Sequence, residues 1–158
     1  MCIRCARPEE AAVLTELSFA AKRYWGYPEA YLDQWRQELT ISGTYIAEYT
    51  VYLYESGSIF GYYSVVDLVE ETTVGSIVLP AGTWLEHMFV RPSAIGNGIG
   101  TTLFRHMVAV CRNQGVSRLS ILADPHARGF YEKMGCRYVR EYPSSIPLRT
   151  TPLLELKP

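Results

Sequence analysis

Phe89-Val90-Arg91-Pro92-Ser93-Ala94-Ile95-Gly96-Asn97-Gly98-Ile99-Gly100-Thr101-Thr102-Leu103-Phe104 leaves an apolar strand, crosses three alternating glycines and enters an amphipathic helix. Gly96, Gly98 and Gly100 lack the Cβ atoms that would hold an anion away. The first amides of the following helix have no partner within it, and they point with the positive end of its macrodipole toward the same spot. Leu103, Phe104, Met107, Val108 and Cys111 recur at helical spacing, with Arg105, His106 and Arg112 on the other side. Strand, turn and helix thus read as one unit with room for a phosphate. Two familiar phosphate loops do not fit it. A Walker A loop needs a lysine after its last glycine, but Gly100 is followed by Thr101 and Thr102. The dinucleotide fingerprint runs G-x-G-x-x-G, whereas the order here is G-x-G-x-G, which weakens a nucleotide-binding α/β enzyme.

Further along stands Asp124-Pro125-His126-Ala127-Arg128-Gly129-Phe130-Tyr131-Glu132-Lys133-Met134-Gly135-Cys136. It follows a buried strand over residues 119–123, with Asp124 as a helix cap, Pro125 in the first turn and Gly135 as the stop. In this order and separation the two stretches resemble the two signatures of the GNAT superfamily, the acetyl-CoA-dependent N-acetyltransferases. The first signature is Arg/Gln-x-x-Gly-x-Gly/Ala at the end of the fourth strand, and in Ile95-Gly96-Asn97-Gly98-Ile99-Gly100 both required glycines, Gly98 and Gly100, are present. The second is matched by Ala127, Phe130, Tyr131, Glu132, Lys133 and Gly135. Three positions depart from it: Ile95 stands where Arg or Gln is usual, Asp124 replaces Asn, and Cys136 replaces an aromatic residue.

The resemblance implies an α/β (α+β) domain over residues 1–158, with a mixed, mostly antiparallel sheet of about seven strands flanked by about four helices. It implies acetyl-CoA as co-substrate and no metal. The cofactor would lie against Met88, Phe89 and Val90, against the turn Ile95, Gly96, Asn97, Gly98, Ile99, Gly100 and Thr101, and against Asp124, Ala127, Phe130 and Tyr131. The acceptor would be a primary amine of a small molecule or protein, attacking directly in a ternary complex. A non-catalytic acyl-CoA-binding sensor with the same fold is the alternative, favoured by Ile95 and disfavoured by Tyr131.

Acetyl transfer to an amine sets its own requirements. An alkylamine with a pKa of about 10.4 must lose a proton before it attacks. On the strand Trp84-Leu85-Glu86-His87-Met88-Phe89, Glu86 is the candidate base, and strand alternation sends Glu86 and His87 to opposite faces. His87 reads as a structural histidine. Tyr131, matching the family tyrosine, would protonate the departing thiolate, since a phenol keeps its proton at neutral pH.

Elsewhere the pattern predicts a strand over 2–6 and a helix facing inward with Val13, Leu14, Leu17, Ala20, Ala21 and Tyr24. Pro28 opens a second helix, with Tyr31, Leu32, Trp35 and Leu39 on its face. A hairpin covers 51–69, turning at Ser56-Gly57; strands follow over 83–90, 138–142 and 153–156, and the connection 75–82 is left unassigned. Tyr24, Trp25, Tyr27, Tyr62 and Tyr63 are candidates to line the acceptor cleft, with the loop Pro143-Ser144-Ser145-Ile146-Pro147 closing over it.

A chain of 158 residues can bury about 70% of its unfolded surface and needs no staples. Its net charge of -1 argues against a nucleic-acid partner. No apolar run approaches the ~20 residues of a membrane span, so a cytoplasmic protein without membrane attachment is expected. Cys2 and Cys5, three apart on a strand, point to opposite faces, and Cys111 and Cys136 are solitary, so free thiols rather than a metal site are expected. The apolar carboxy-terminal strand suggests a homodimer.

Overall fold

The computed structural model describes residues 1–74 and 77–158; Gly75 and Ser76, within the connection left unassigned above, lie outside the described residues. Strand β1 (Cys2–Cys5) leads through a short 3-10 turn into α1 (Ala11–Tyr24). The Glu10 carboxylate closes that turn, accepting from the Arg7 backbone N–H at 2.8 Å and from Arg4 Nη2 at 2.7 Å. Three short helices follow, α2 (Glu29–Gln34), α3 (Arg36–Leu39) and α4 (Gly43–Glu48). Then come β2 (Thr50–Glu55) and β3 (Ile59–Leu68), joined at Gly57, whose φ of 75° explains the glycine. A small separate hairpin, β4 (Thr72–Val74) with β5 (Ile77–Leu79), precedes β6 (Gly82–Val90) and α5 (Ile99–Asn113). The chain ends with β7 (Leu119–Leu122), α6 (Arg128–Lys133), β8 (Arg137–Pro143) and β9 (Thr150–Leu156).

The main sheet has seven strands in the order β1-β2-β3-β6-β7-β9-β8. Its ladders are antiparallel except β6 with β7, which α5 connects as a crossover. This is the mixed, mostly antiparallel sheet expected. On one face α5 and α6 bury Leu103, Phe104, Met107 and Tyr131 against Tyr63, Val65 and Leu85. On the other, α1 and the segment around α4 bury Leu14, Leu17, Ile41 and Ile46 against Val51, Leu53 and Tyr62.

Several expectations need correction. α1 faces inward with Leu14, Leu17, Ser18, Phe19 and Ala21, while Val13 and Tyr24 are exposed. The helix touches two neighbours: Leu14 and Leu17 meet the sheet side, and Phe19 joins Leu32, Trp35, Leu39 and Ile146. Its buried stripe is therefore turned and broadened. The second predicted helix is broken into α2 and α3, though Leu32, Trp35 and Leu39 are buried as expected. α4 was not foreseen; six residues are too few to show a period, and its sign is the Ser42 hydroxyl accepting the Tyr45 N–H at 3.0 Å. Tyr62 and Tyr63 are fully buried core residues on opposite faces of β3, not cleft lining. The apolar β9 is internal, with Leu154 wholly buried, so its hydrophobicity is absorbed within the sheet.

Candidate active site

β6 and β7 pair at Thr83 with Leu119, Trp84 with Ser120 and Leu85 with Ile121. Beyond Leu85 the two strands part, β7 ending at Leu122 while β6 continues to Val90. A cavity of about 650 Å³ opens at this fork. The unpaired edge of β6, with Met88, Phe89 and Val90, forms one wall; Ala127, Phe130 and Tyr131 stand opposite.

One end of the cavity is the glycine turn. Gly96 and Gly98 have φ of 88° and 78°, conformations that exclude most side chains, and Gly98 caps α5. Among the described residues the amides of Gly98, Ile99, Gly100 and Thr101 make no backbone hydrogen bond; the first to do so is Thr102, to Gly98 O at 3.0 Å. Gly100 is helical, and a Cβ there would make ordinary contacts with the Phe130 ring at 3.6 Å and Val90 at 3.8 Å. Phe130 packs edge-on against Phe104 and so fixes α6 to α5. Of the predicted turn residues, Asn97 does not face the cavity; its N–H turns back to Ala94 O at 3.4 Å. Ile95 sits on the rim with 44% of its surface exposed.

Tyr131 is 6% exposed, and its hydroxyl makes no hydrogen bond to the described residues. Burial, then the Cys136 thiol and the Asp124 charge, push its phenol above the usual range, so it holds a proton at neutral pH.

Across the cavity the sheet departs from simple alternation. Ser64 pairs with His87 and Val65 with Leu85, leaving Glu86 as an extra residue, a bulge in β6. The bulge turns Glu86 and His87 to the same side, with His87 Nε2 3.1 Å from Glu86 Oε1, which corrects the expectation of opposite faces. The approach lacks hydrogen-bond alignment, and Nε2 is a buried side-chain nitrogen without a hydrogen-bond partner among the described residues. Burial pushes the Glu86 carboxyl up, but His87 and Tyr45 outweigh it and hold it below its ordinary value.

Asp124 does more than cap the turn at His126, whose N–H it accepts at 2.9 Å. It takes Lys22 Nζ at 2.8 Å and the Tyr27 hydroxyl at 3.0 Å, and Tyr27 in turn accepts Arg149 Nη2 at 2.8 Å. Burial raises the Asp124 carboxyl, yet Lys22 and the His126 bonds hold it at about 2. The same cluster draws the β8–β9 loop over the cavity. Ser144, Ser145 and Arg149 line it, Ile146 is buried, and Trp35 Nε1 donates to Ser145 Oγ at 3.1 Å. Trp25 and Tyr24 line the cavity as expected, and Tyr27 acts through the Asp124 cluster instead.

Lys22, Trp35, Glu38 and Arg149 also belong to this cavity, and sequence reasoning passed over them. Lys22 carried one signal, a charged residue next to Ala21 on the inward stripe of α1; the others had none that local pattern exposes. Among the described residues no group of three or more His, Cys, Asp or Glu could hold a metal ion, and no helix is long and apolar enough to cross a membrane.

Comparison with known proteins agrees with this architecture. Serotonin N-acetyltransferase 2, chloroplastic, from Oryza sativa subsp. japonica is 36% identical over 61 residues, 39% of this chain and 30% of that protein's length. The GCN5-related N-acetyltransferase of Rhodopseudomonas palustris superposes with a TM-score of 0.76 at 18% identity, covering 99% of this chain and 94% of its own. The PaiA N-acetyltransferase of Thermoplasma acidophilum, solved with coenzyme A, gives 0.76 at 17% identity over 99% and 98%. A GNAT acetyltransferase of Brucella melitensis, solved with acetyl-CoA, gives 0.61 at 22% over 99% and 86%. Those structures share the fold; the family model of the acetyltransferase (GNAT) family, matching residues 12–136, carries the assignment. With its glycine turn, forked strands and buried tyrosine all inside that match, the chain belongs to the acetyltransferase (GNAT) family.

Proposed function

We propose that the protein transfers an acetyl group from acetyl-CoA to a primary amine of a small molecule or protein, by direct attack within a ternary complex. One observation carries the reading: a single cavity holds the free amides of the glycine turn, the unpaired Tyr131 hydroxyl and the Glu86–His87 pair. The cofactor's pyrophosphate would take the amides of Gly98 to Thr101, leaving its pantetheine arm to run along β6. Backbone N–H groups of β6 between Met88 and Val90 would polarise the thioester carbonyl.

The amine nitrogen attacks the carbonyl carbon, the carbon–sulfur bond breaks and the thiolate takes the Tyr131 proton, while the proton that the nitrogen sheds on becoming an amide passes to solvent, from which Tyr131 is reprotonated. The ammonium proton must leave first. A carboxylate held below its ordinary range is a weak proton acceptor but a good seat for an ammonium group. Glu86 therefore holds the amine, and His87, the side-chain type that exchanges protons nearest neutral pH, receives its proton. In this reading the base role that the sequence assigned to Glu86 passes to His87, and Glu86 seats the amine.

The test is release of free CoA from acetyl-CoA in the presence of a panel of amines, with Tyr131→Phe alongside. A loss of 10²- to 10⁴-fold in kcat, with acetyl-CoA affinity kept, is expected. The rival reading, acyl-CoA binding without transfer, draws on the apolar Ile95 at the rim. Acetyl-CoA binding with no CoA release from any amine would favour it.

A further inference from the structure

Behind the Glu86–His87 pair lies a second chamber of about 230 Å³, lined by Gln37, Glu38, Thr40, Tyr45, Glu86 and His87 among others. Glu38, Glu86 and His87 line the main cavity as well, so they form the threshold between the two. Its volume matches that of roughly eight liquid waters, room for a short chain of methylenes and a terminal group.

The charges at the threshold do not balance. Glu38, half-buried on α3, makes no hydrogen bond or ion pair with the described residues. Burial pushes its carboxyl up, against the pull of Lys22 and His87. Lys22 is already committed to Asp124 at 2.8 Å. His87 lines this threshold with a side chain only 8% exposed, and its Nε2, 3.1 Å from Glu86 Oε1, has no hydrogen-bond partner among the described residues. Two carboxylates and a buried imidazole thus line a space that continues from the reaction cavity.

We propose that this chamber receives the tail of the acceptor and that Glu38 holds a second positive charge there, so the preferred acceptors are aliphatic diamines or longer polyamines. The inference rests on the acetyltransferase reading above. A neutral tail would leave Glu38 desolvated and unpaired, and a carboxylate tail, as in an amino acid, would meet Glu38 and Glu86 with like charge. A second ammonium group satisfies Glu38 while the reacting amine lies at Glu86.

Three compounds of equal chain length isolate the tail: hexamethylenediamine, hexylamine and ε-aminocaproate, ending in ammonium, methyl and carboxylate. With wild-type protein and acetyl-CoA, kcat/KM for the diamine should exceed that for hexylamine by roughly tenfold or more, mainly through KM, with ε-aminocaproate poorest. Glu38→Gln should bring the diamine-to-hexylamine ratio toward one, and Glu38→Lys should move the preference toward ε-aminocaproate. Calorimetric binding of the three compounds to the acetyl-CoA-free protein gives a second readout, in which only the diamine should bind in a Glu38-dependent way. Equal kcat/KM for diamine and hexylamine, or a preference that survives both Glu38 variants, overturns the proposal and leaves acetyl transfer intact. Failure of acetyl-CoA to bind at all would instead overturn the acetyltransferase reading, with the diamine's binding still deciding the role of Glu38.

Discussion

The glycines of the turn are not alike, and substitutions should separate them. Gly98 has a φ of 78°, so Gly98→Ala should cost about 1–2 kcal/mol of stability from backbone strain, read as a lowered urea midpoint. Gly100 is helical, and a Cβ there makes ordinary contacts with the Phe130 ring at 3.6 Å and Val90 at 3.8 Å. Gly100→Val should therefore stay folded yet lose acetyl-CoA affinity by roughly tenfold or more, since its γ-carbons must displace Phe130 or enter the cavity. Ile95 is 44% exposed on the rim, leaving space for a longer side chain; Ile95→Arg should tighten acetyl-CoA by roughly tenfold through a charge-assisted bond to phosphate. Unchanged affinity by calorimetry would place the pyrophosphate elsewhere. At the catalytic pair, His87→Gln should lose kcat and regain part of it at high pH, where more of the amine is already neutral. Glu86→Gln should chiefly raise the KM of the amine.

The elements that position the site were legible in unequal measure. The β6–turn–α5 unit and the turn into α6 have strong local signatures, glycines at fixed spacing and a capping Asp, and both appear where the sequence placed them. The bulge at Glu86 has no local signature. It arises because β6 must satisfy the register of β3 on one side, and that demand comes from residues more than twenty positions away. Alternation applied to β6 alone consequently sent His87 to the wrong face and hid its pairing with Glu86. Glu38 was unreadable for a similar reason, because its meaning depends on which helices cross the mouth of the fork, and Lys22 showed only as a charge beside the inward stripe of α1. The loop from β8 to β9 shows the same dependence: its closure over the cleft was expected, but the fastening is Asp124, Tyr27 and Arg149, from three separate segments. Asp124 binds its proton less tightly folded than unfolded, so its pairing stabilises fully above its ordinary value of 3.8 and the gain is lost as pH falls toward 2. Asp124→Asn should destabilise by roughly 3 kcal/mol at neutral pH, because Lys22 is left buried without its partner, and should flatten the acid side of the stability curve in urea titrations at stepped pH.

At the scale of the molecule, the apolar last strand that suggested a homodimer lies between β7 and β8 and spends its side chains on the core. The fork has a broader effect. Three residue pairs join β6 to β7, whereas β6 is matched to β3 along nearly its whole length. A cofactor bound in the fork would touch the turn before α5 on one bank and Tyr131 on the other, so saturating acetyl-CoA at 100 times its Kd should add about 2.7 kcal/mol of stability, visible as a raised Tm. The seam also divides the chain cleanly in sequence. The strands on one bank, β1, β2, β3 and β6, all precede those on the other, β7, β9 and β8, and the crossing is α5 with the short link after it. Severed in that link, the polypeptide becomes two contiguous fragments with few backbone rungs to rejoin them, and the cofactor lies across the joint. Their reassembly should then depend on acetyl-CoA, making the cut protein a reporter of that metabolite's concentration.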